Sequence, residues 1–112
     1  AYLDGKRLLI GYNNSTIYYY EDWQNYEHPT RIFRGHTCTK FRVNCILSRF
    51  DCNLALSCSE NGSVYVWNVE SGRLVYEIEL QKKCLNDIME IGQGRFFSCG
   101  DDRMLCEWSL NQ

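Results

Sequence analysis

Short runs of apolar and aromatic residues alternate along this chain with turns rich in Gly, Asn, Asp and Ser. Two segments, 54–68 and 95–109, align without a gap and place Trp67 over Trp108, 41 residues apart. A weaker copy at 8–21 has Tyr20 in the tryptophan position. Each copy consists of two runs of β-forming residues around a tight turn, a pattern that predicts a β-hairpin.

Further strands complete each repeat. Inner strands are predicted at 43–48 and 85–91, and outer strands at 31–34 and 73–80. No segment shows sustained 3.6-residue periodicity, so no helix is predicted. The middle repeat should therefore form one four-stranded antiparallel sheet from the runs 43–48, 54–59, 63–68 and 73–80.

This pattern of four strands in about 40 residues, with Gly35-His36 before the first strand and Trp67-Asn68 after the third, resembles the WD-repeat β-propeller. The resemblance implies an all-β propeller fragment of about two and a half four-stranded blades. We expect a partial blade at 1–34, a complete blade at 35–80 and a last blade at 81–112 that lacks its outer strand. Because propellers close with about 4–8 blades, a longer chain or other chains should supply the remaining blades.

A missing outer strand would leave the strand around 104–109 with an unpaired edge, which is an aggregation hazard. Closed propellers of this family borrow a strand from the N-terminal end of the chain. The resemblance therefore predicts that a segment upstream of Ala1 pairs with this edge.

In this family a histidine, a serine or threonine, an aspartate and a tryptophan form a chain of hydrogen bonds within a blade. The matching residues are His36, Ser57, Asn61 and Trp67 in the middle blade, and Ser98, Asp102 and Trp108, with Gln81 near the histidine position, in the last blade. Such a chain satisfies buried polar groups, since an indole N–H only donates and a hydroxyl both donates and accepts. Asn61 cannot carry the charge of an aspartate, so the middle network should be weaker.

Charge, hydropathy and cysteine content exclude several classes of partner. The formal net charge is −2 with both signs scattered, so direct sequence-specific nucleic-acid binding is not expected. No apolar run approaches the ~20 residues that membrane insertion requires. The seven cysteines contain no Cys-x-x-Cys pair, a pattern that favours unpaired thiols in a reducing compartment over a zinc site.

The sequence predicts neither an enzyme nor a cofactor, a metal site or a small-molecule substrate. There is no Gly-x-Ser-x-Gly elbow, and Ser57 lies within an apolar strand, so no hydrolase built on His36 is expected. Asp101-Asp102 should form a turn rather than bind a metal. The tyrosines of 18–20 should pack within a strand, with an aromatic docking patch as the alternative.

The lengthened segment at 35–48, followed by Asp51 and by Ser57-Cys58-Ser59-Glu60, resembles the mitogen-activated protein kinase organiser family, WD-repeat proteins also associated with spliceosomes. The resemblance implies the C-terminal part of a seven-bladed propeller. It also implies a non-enzymatic scaffold for protein assembly in the cytoplasm and nucleus. A role in pre-mRNA splicing complexes and a role in a mitogen-activated protein kinase cascade both remain open.

A second resemblance is to the WD-repeat subunit of histone methyltransferase complexes, whose penultimate blade has a similar lengthened loop. That family clamps an arginine between aromatic rings, one of which follows this loop. Asn44 stands at the matching position here, after Arg42. An amide cannot stack as a ring does, and Arg42 would repel an incoming arginine, so this is the alternative reading.

The loop from His36 to Asn44 is the predicted docking surface. Loops that join blades emerge on the same rim as the central hairpin turns, so Phe41, Arg42, Asn44 and Glu60 should converge. Phe41 offers an apolar anchor and Arg42 a forked donor, which are common at interface hot spots. The alternative is a solvated loop with Phe41 tucked beneath it.

Overall fold

The computed structural model describes residues 1–110, and within that range the secondary structure is β-strands and one short 3-10 helix. Asn111 and Gln112, which end the predicted last blade, lie outside the described residues. The strands are β1 Tyr2–Asp4, β2 Arg7–Tyr12, β3 Thr16–Tyr20, β4 Arg31–Phe33, β5 Cys45–Leu47, β6 Leu54–Cys58, β7 Ser63–Asn68, β8 Leu74–Glu79, β9 Leu85–Gly92, β10 Arg95–Gly100 and β11 Leu105–Ser109.

These strands form three antiparallel sheets, with neighbours in the order β1-β2-β3-β4, β5-β6-β7-β8 and β9-β10-β11. Consecutive strands pair throughout, as alternating polarity and tight turns predict. We call the sheets the first, middle and last blades. The middle blade contains the four strands expected between residues 43 and 80.

The first blade differs from the partial blade that the sequence predicted at 1–34. It has a fourth strand, β1, in which Tyr2 lies opposite Leu9. A run of three residues is too short to show alternation, and Gly5, at φ 61°, turns the chain back at once. The connection from β3 to β4 contains the 3-10 helix Trp23–Asn25, where the Asp22 side chain accepts the N–H of Gln24 at 3.0 Å.

The hydrophobic core lies between the blades, so the middle blade is buried on both faces. Leu9 and Phe33 of the first blade pack in one cluster with Leu47 and Trp67. The Phe33 and Trp67 rings stack with centroids 5.4 Å apart. A second cluster lies between the middle and last blades, and its members include Leu56, Val64, Val66, Leu85, Ile88 and Phe96. Because each buried aliphatic side chain contributes about 1.5–3 kcal/mol, these two interfaces hold the three sheets together.

Several connections meet along one end of the sheets, which we call the loop rim. It comprises 13–15, 34–44, 59–62, 80–84 and 101–104, and the connections at 48–53 and 69–73 lie at the opposite ends of the middle blade's strands. Backbone hydrogen bonds join neighbours on this rim, from Ser15 N–H to Cys38 O at 3.0 Å and from Glu60 N–H to Thr37 O at 2.9 Å. The rim is therefore a connected surface.

Candidate docking face

The loop at 36–44 is shaped by the carboxylate of Glu60, which lies in the β6–β7 turn. Glu60 accepts the backbone N–H groups of Phe41 at 3.0 Å, Lys40 at 2.8 Å and Thr39. The Phe41 N–H contributes most to lowering the pKa of Glu60, and the other two N–H groups act in the same direction. Glu60, predicted to contact a partner, thus has its charge directed at the loop and serves to position it.

Phe41 is not tucked beneath the loop. Its side chain is 51% exposed, and Arg42 beside it is also exposed. Tyr12 of the first blade, 41% exposed, borders the same groove, which Asn13 and Asn44 also line. Phe41, Arg42 and Asn44 therefore line one groove, with Tyr12 as an added aromatic side chain.

Asn44 ties this loop to the last blade. Its amide nitrogen donates to Asp87 Oδ1 at 2.8 Å, and its Oδ1 accepts the N–H of Cys45 at 3.1 Å. The side chain of Asn86 donates to the carbonyl of Arg42 at 3.1 Å. The C-terminal end of the exposed segment is therefore fixed to the last blade, which reduces the conformational entropy lost when a partner binds.

The hydrogen-bond chain predicted for the middle blade does not form. Trp67 Nε1 donates to the carbonyl of Arg34 at 3.1 Å, and Ser57 Oγ donates to the carbonyl of Cys58 at 2.8 Å. The Nδ1 atom of buried His36 has no hydrogen-bond partner, and the Asn61 amide donates instead to the hydroxyl of Tyr65 at 2.9 Å. The Trp67 indole stacks on Phe33 and Tyr65, and in this orientation its N–H meets the carbonyl of Arg34.

The last blade forms two separate parts of the predicted chain. Trp108 Nε1 donates to Ser98 Oγ at 3.1 Å, as predicted. Asp102 accepts the backbone N–H of Met104 at 2.9 Å, and the Gln81 amide, with its nitrogen turned toward Asp102, donates to the same carboxylate. Gln81 thus occupies the histidine position and satisfies the aspartate without carrying a charge.

His36, the tyrosines of β3 and the cysteines carry the more reactive side chains, and most of them lie in the core or within a strand. Burial lowers the pKa of His36, with a smaller opposing effect from Glu60, so its imidazole is neutral near pH 7. Tyr19 and Tyr20 are buried within β3. All seven cysteines are free, and burial raises the pKa of the Cys45 thiol to about 11. Within residues 1–110 no group of three or more His, Cys, Asp or Glu is arranged to hold a metal, and no helix has the length and apolarity to cross a bilayer.

Residues 27–68 match the family model of the WD domain, G-beta repeat. Over this span the chain is similar to WD40-repeat proteins. The matched span extends from the connection before β4 to the end of β7, and it includes His36, Ser57, Asn61 and Trp67. The matched span therefore covers the docking loop and the three inner strands of the middle blade.

The similarity to one curated protein extends over most of the chain. The chain is 27% identical over 108 residues to GID complex subunit 7 of Schizosaccharomyces pombe, an alignment that covers 95% of this chain and 21% of that protein. The chain thus spans about a fifth of the length of this curated relative.

Two solved structures share the fold. The WD40 β-propeller domain of Doa1 superposes with a TM-score of 0.76 at 12% identity, over 96% of this chain and 34% of that chain. The computationally designed Ika4 protein gives a TM-score of 0.75 at 14% identity, over 97% and 63%. The fold is that of a propeller fragment with three adjacent blades.

Three residues on the rim or beside it were not singled out from the sequence as contact residues. They are Tyr12, Lys82 and Lys83, all of which are exposed. The repeat alignment contained the signal for the two lysines, because it places the connection at 80–84 in the position equivalent to the predicted docking loop. The contribution of Tyr12 depends on how the first blade packs against the middle blade.

Proposed function

We propose that this chain is part of a non-enzymatic scaffold that docks other proteins through its loop rim within a multisubunit complex. The observation that supports this proposal is that Phe41 is 51% exposed on a loop whose backbone is held by Glu60. An exposed aromatic side chain on a rigid loop provides apolar contact area at low entropic cost. The WD40 repeat supports this role.

The identity of the complex is a finer proposal. GID complex subunit 7 is by its name a member of an assembly, which supports membership of a complex for this chain. The roles in splicing and in a mitogen-activated protein kinase cascade rest on the sequence resemblance at 35–48, as does placement in the cytoplasm and nucleus. We favour a GID-type assembly because that similarity extends over 95% of the chain.

The histone methyltransferase alternative is less well supported by the geometry. Asn44, at the position of the clamping aromatic ring, uses both ends of its amide within the protein, on Asp87 and on the N–H of Cys45. It is therefore not presented to a ligand. Arg42, exposed beside it, adds positive charge where an arginine would enter.

The test is affinity purification of the full-length protein with Phe41 and Arg42 both replaced by alanine. The matched control replaces Arg49 and Phe50, the same two residue types, both exposed, at the opposite end of β5. The proposal expects the first variant to lose partners that the control retains, with equal thermal midpoints. Equal recovery of every partner by both variants would remove the loop rim from consideration.

Identification of the co-purifying proteins by mass spectrometry tests the finer proposal. Subunits of a GID-type complex are expected. Recovery of splicing factors or kinase-cascade components in their place would support the other two roles.

A further inference from the structure

Two loops of the rim flank the β6–β7 turn. On one side, the Glu60 carboxylate holds the backbone of Lys40 at 2.8 Å. On the other, Gly62 O accepts the N–H of Leu80 at 3.1 Å, and Ser59 O accepts the N–H of Leu85 at 3.0 Å. The connections at 36–44 and 80–84 are therefore both anchored to one turn and lie on either side of it.

These two loops carry four exposed cations, which we call the rim cations: Lys40, Arg42, Lys82 and Lys83. None of them forms an ion pair, since the salt bridge found in the described part of the chain joins Arg95 to Glu107 at the strands β10 and β11. Their positive charge is therefore available to a ligand, although the chain as a whole has a formal charge of −2.

Asp101 is an exposed carboxylate of the rim. Three further carboxylates, on the rim or beside it, have neutral hydrogen-bond donors. Glu60 accepts three backbone N–H groups. Asp87 accepts the Asn44 amide and the N–H of Ile88, and Asp102 accepts the N–H of Met104. These carboxylates weaken the positive field along the rim without pairing with the rim cations.

This arrangement of charges favours an acidic peptide over a nucleic acid as the ligand. A nucleic-acid backbone carries evenly spaced phosphates, which would lie against Glu60 and Asp87 as well as against the lysines. A peptide can place single carboxylates beside the rim cations and an apolar side chain on Phe41. The exposed aromatic ring of Phe41, on the same loop as Lys40 and Arg42, also fits a peptide.

We propose that the loop rim binds an acidic peptide segment, with its carboxylates at Lys40, Arg42, Lys82 and Lys83 and an apolar side chain on Phe41. This inference rests on the proposed docking role and specifies the chemistry of the partner. Exposed ion pairs contribute modestly and are screened by salt, so the interaction is salt-dependent and fast to form.

The test uses the full-length protein and a fluorescein-labelled Glu-rich peptide with one Leu, followed by fluorescence anisotropy. A second peptide has Gln at every Glu position. The acidic peptide should bind more tightly than the amide peptide and lose affinity as salt is raised. Replacing Lys82 and Lys83 by Glu should weaken it at least about fivefold, because each exposed charge pair contributes ~0.2–1 kcal/mol and reversal adds repulsion.

The control replaces Lys6 and Arg73 by Glu, which changes the net charge equally at exposed positions away from the rim. Its affinity for the peptide should be unchanged. Equal affinity for the two peptides, an equal loss in the control, or binding of a single-stranded RNA oligonucleotide in preference to the peptide would each overturn the inference. If partners are still lost on replacing Phe41 and Arg42, the docking role stands and only the acidic chemistry fails.

Discussion

Phe41 donates its backbone N–H to the carboxylate of Glu60 at 3.0 Å across 19 positions of sequence. One side chain of the β6–β7 turn thus fixes the loop that presents the exposed ring. Three successive N–H groups converge on one oxygen of this carboxylate, Oε2, and its negative charge strengthens these bonds beyond what a neutral amide of the same shape provides.

Replacing Glu60 by Gln should loosen the loop without unfolding the blade. The amide lacks the charge that strengthens these bonds, so the amide protons of residues 39–41 should exchange several-fold faster, as measured by NMR hydrogen exchange. Amide protons within β6 and β7 should exchange at their original rates. Unchanged exchange at 39–41 would show that the loop is held by other contacts.

The same contact predicts a dependence on pH. The pKa of Glu60 is lowered from 4.5 by the three N–H groups, so its contribution is complete above about pH 4.5 and is lost as the pH falls through the lower folded value. Exchange at 39–41, corrected for intrinsic rates, should therefore accelerate in acid. The Glu60→Gln variant should show no such acceleration.

Protonation of His36 should destabilise the fold. Burial lowers the pKa of this imidazole below 6.5, so the unfolded chain takes up the proton first. Stability is therefore retained above about pH 6.5 and decreases as the pH falls toward the folded value. Thermal unfolding followed by circular dichroism should show a His36→Gln variant with a weaker pH dependence over this range. A His28→Gln variant, changed at an exposed position, should keep the dependence of the parent protein.

Replacing Gly62 by Ala should be strongly destabilising. Gly62 has φ 87°, and a Cβ there would lie 2.0 Å from the carbonyl oxygen of Gln81. Backbone strain alone costs about 1–3 kcal/mol, and the clash adds to it. Gly5→Ala is the control, because Gly5 also has positive φ but no atom within 4 Å of such a Cβ. Denaturant unfolding should give a smaller loss for Gly5→Ala, and equal losses would contradict the predicted clash.

The two tryptophan strands should respond differently to loss of their serines. Ser98→Ala removes the acceptor of the Trp108 N–H, at a cost of about 1 kcal/mol, and should shift the Trp108 indole resonance. Ser57→Ala leaves the bond from Trp67 to Arg34 O in place, so the Trp67 indole resonance should keep its position. A large shift of the Trp67 resonance on loss of Ser57 would instead support the hydrogen-bond chain that the sequence predicted.

The strand pattern of this protein could be predicted from the sequence because it is local. Alternating side chains and turn residues define a hairpin within about 15 residues, and the repeat of Trp67 at Trp108 sets the spacing of the blades. The four strands of the middle blade and the converging loop residues Phe41 and Arg42 followed from that spacing.

The tertiary structure decided which polar groups meet. The Trp67 indole donates to Arg34, 33 positions away, because stacking on Phe33 and Tyr65 sets the direction of its ring. The sequence placed Glu60 at an interface, whereas the folded loop brings three N–H groups to its carboxylate. Local pattern determines which residues form strands, but the choice of hydrogen-bond partner depends on differences of a few tenths of an ångström in the distance between donor and acceptor. Packing of the whole core sets those distances.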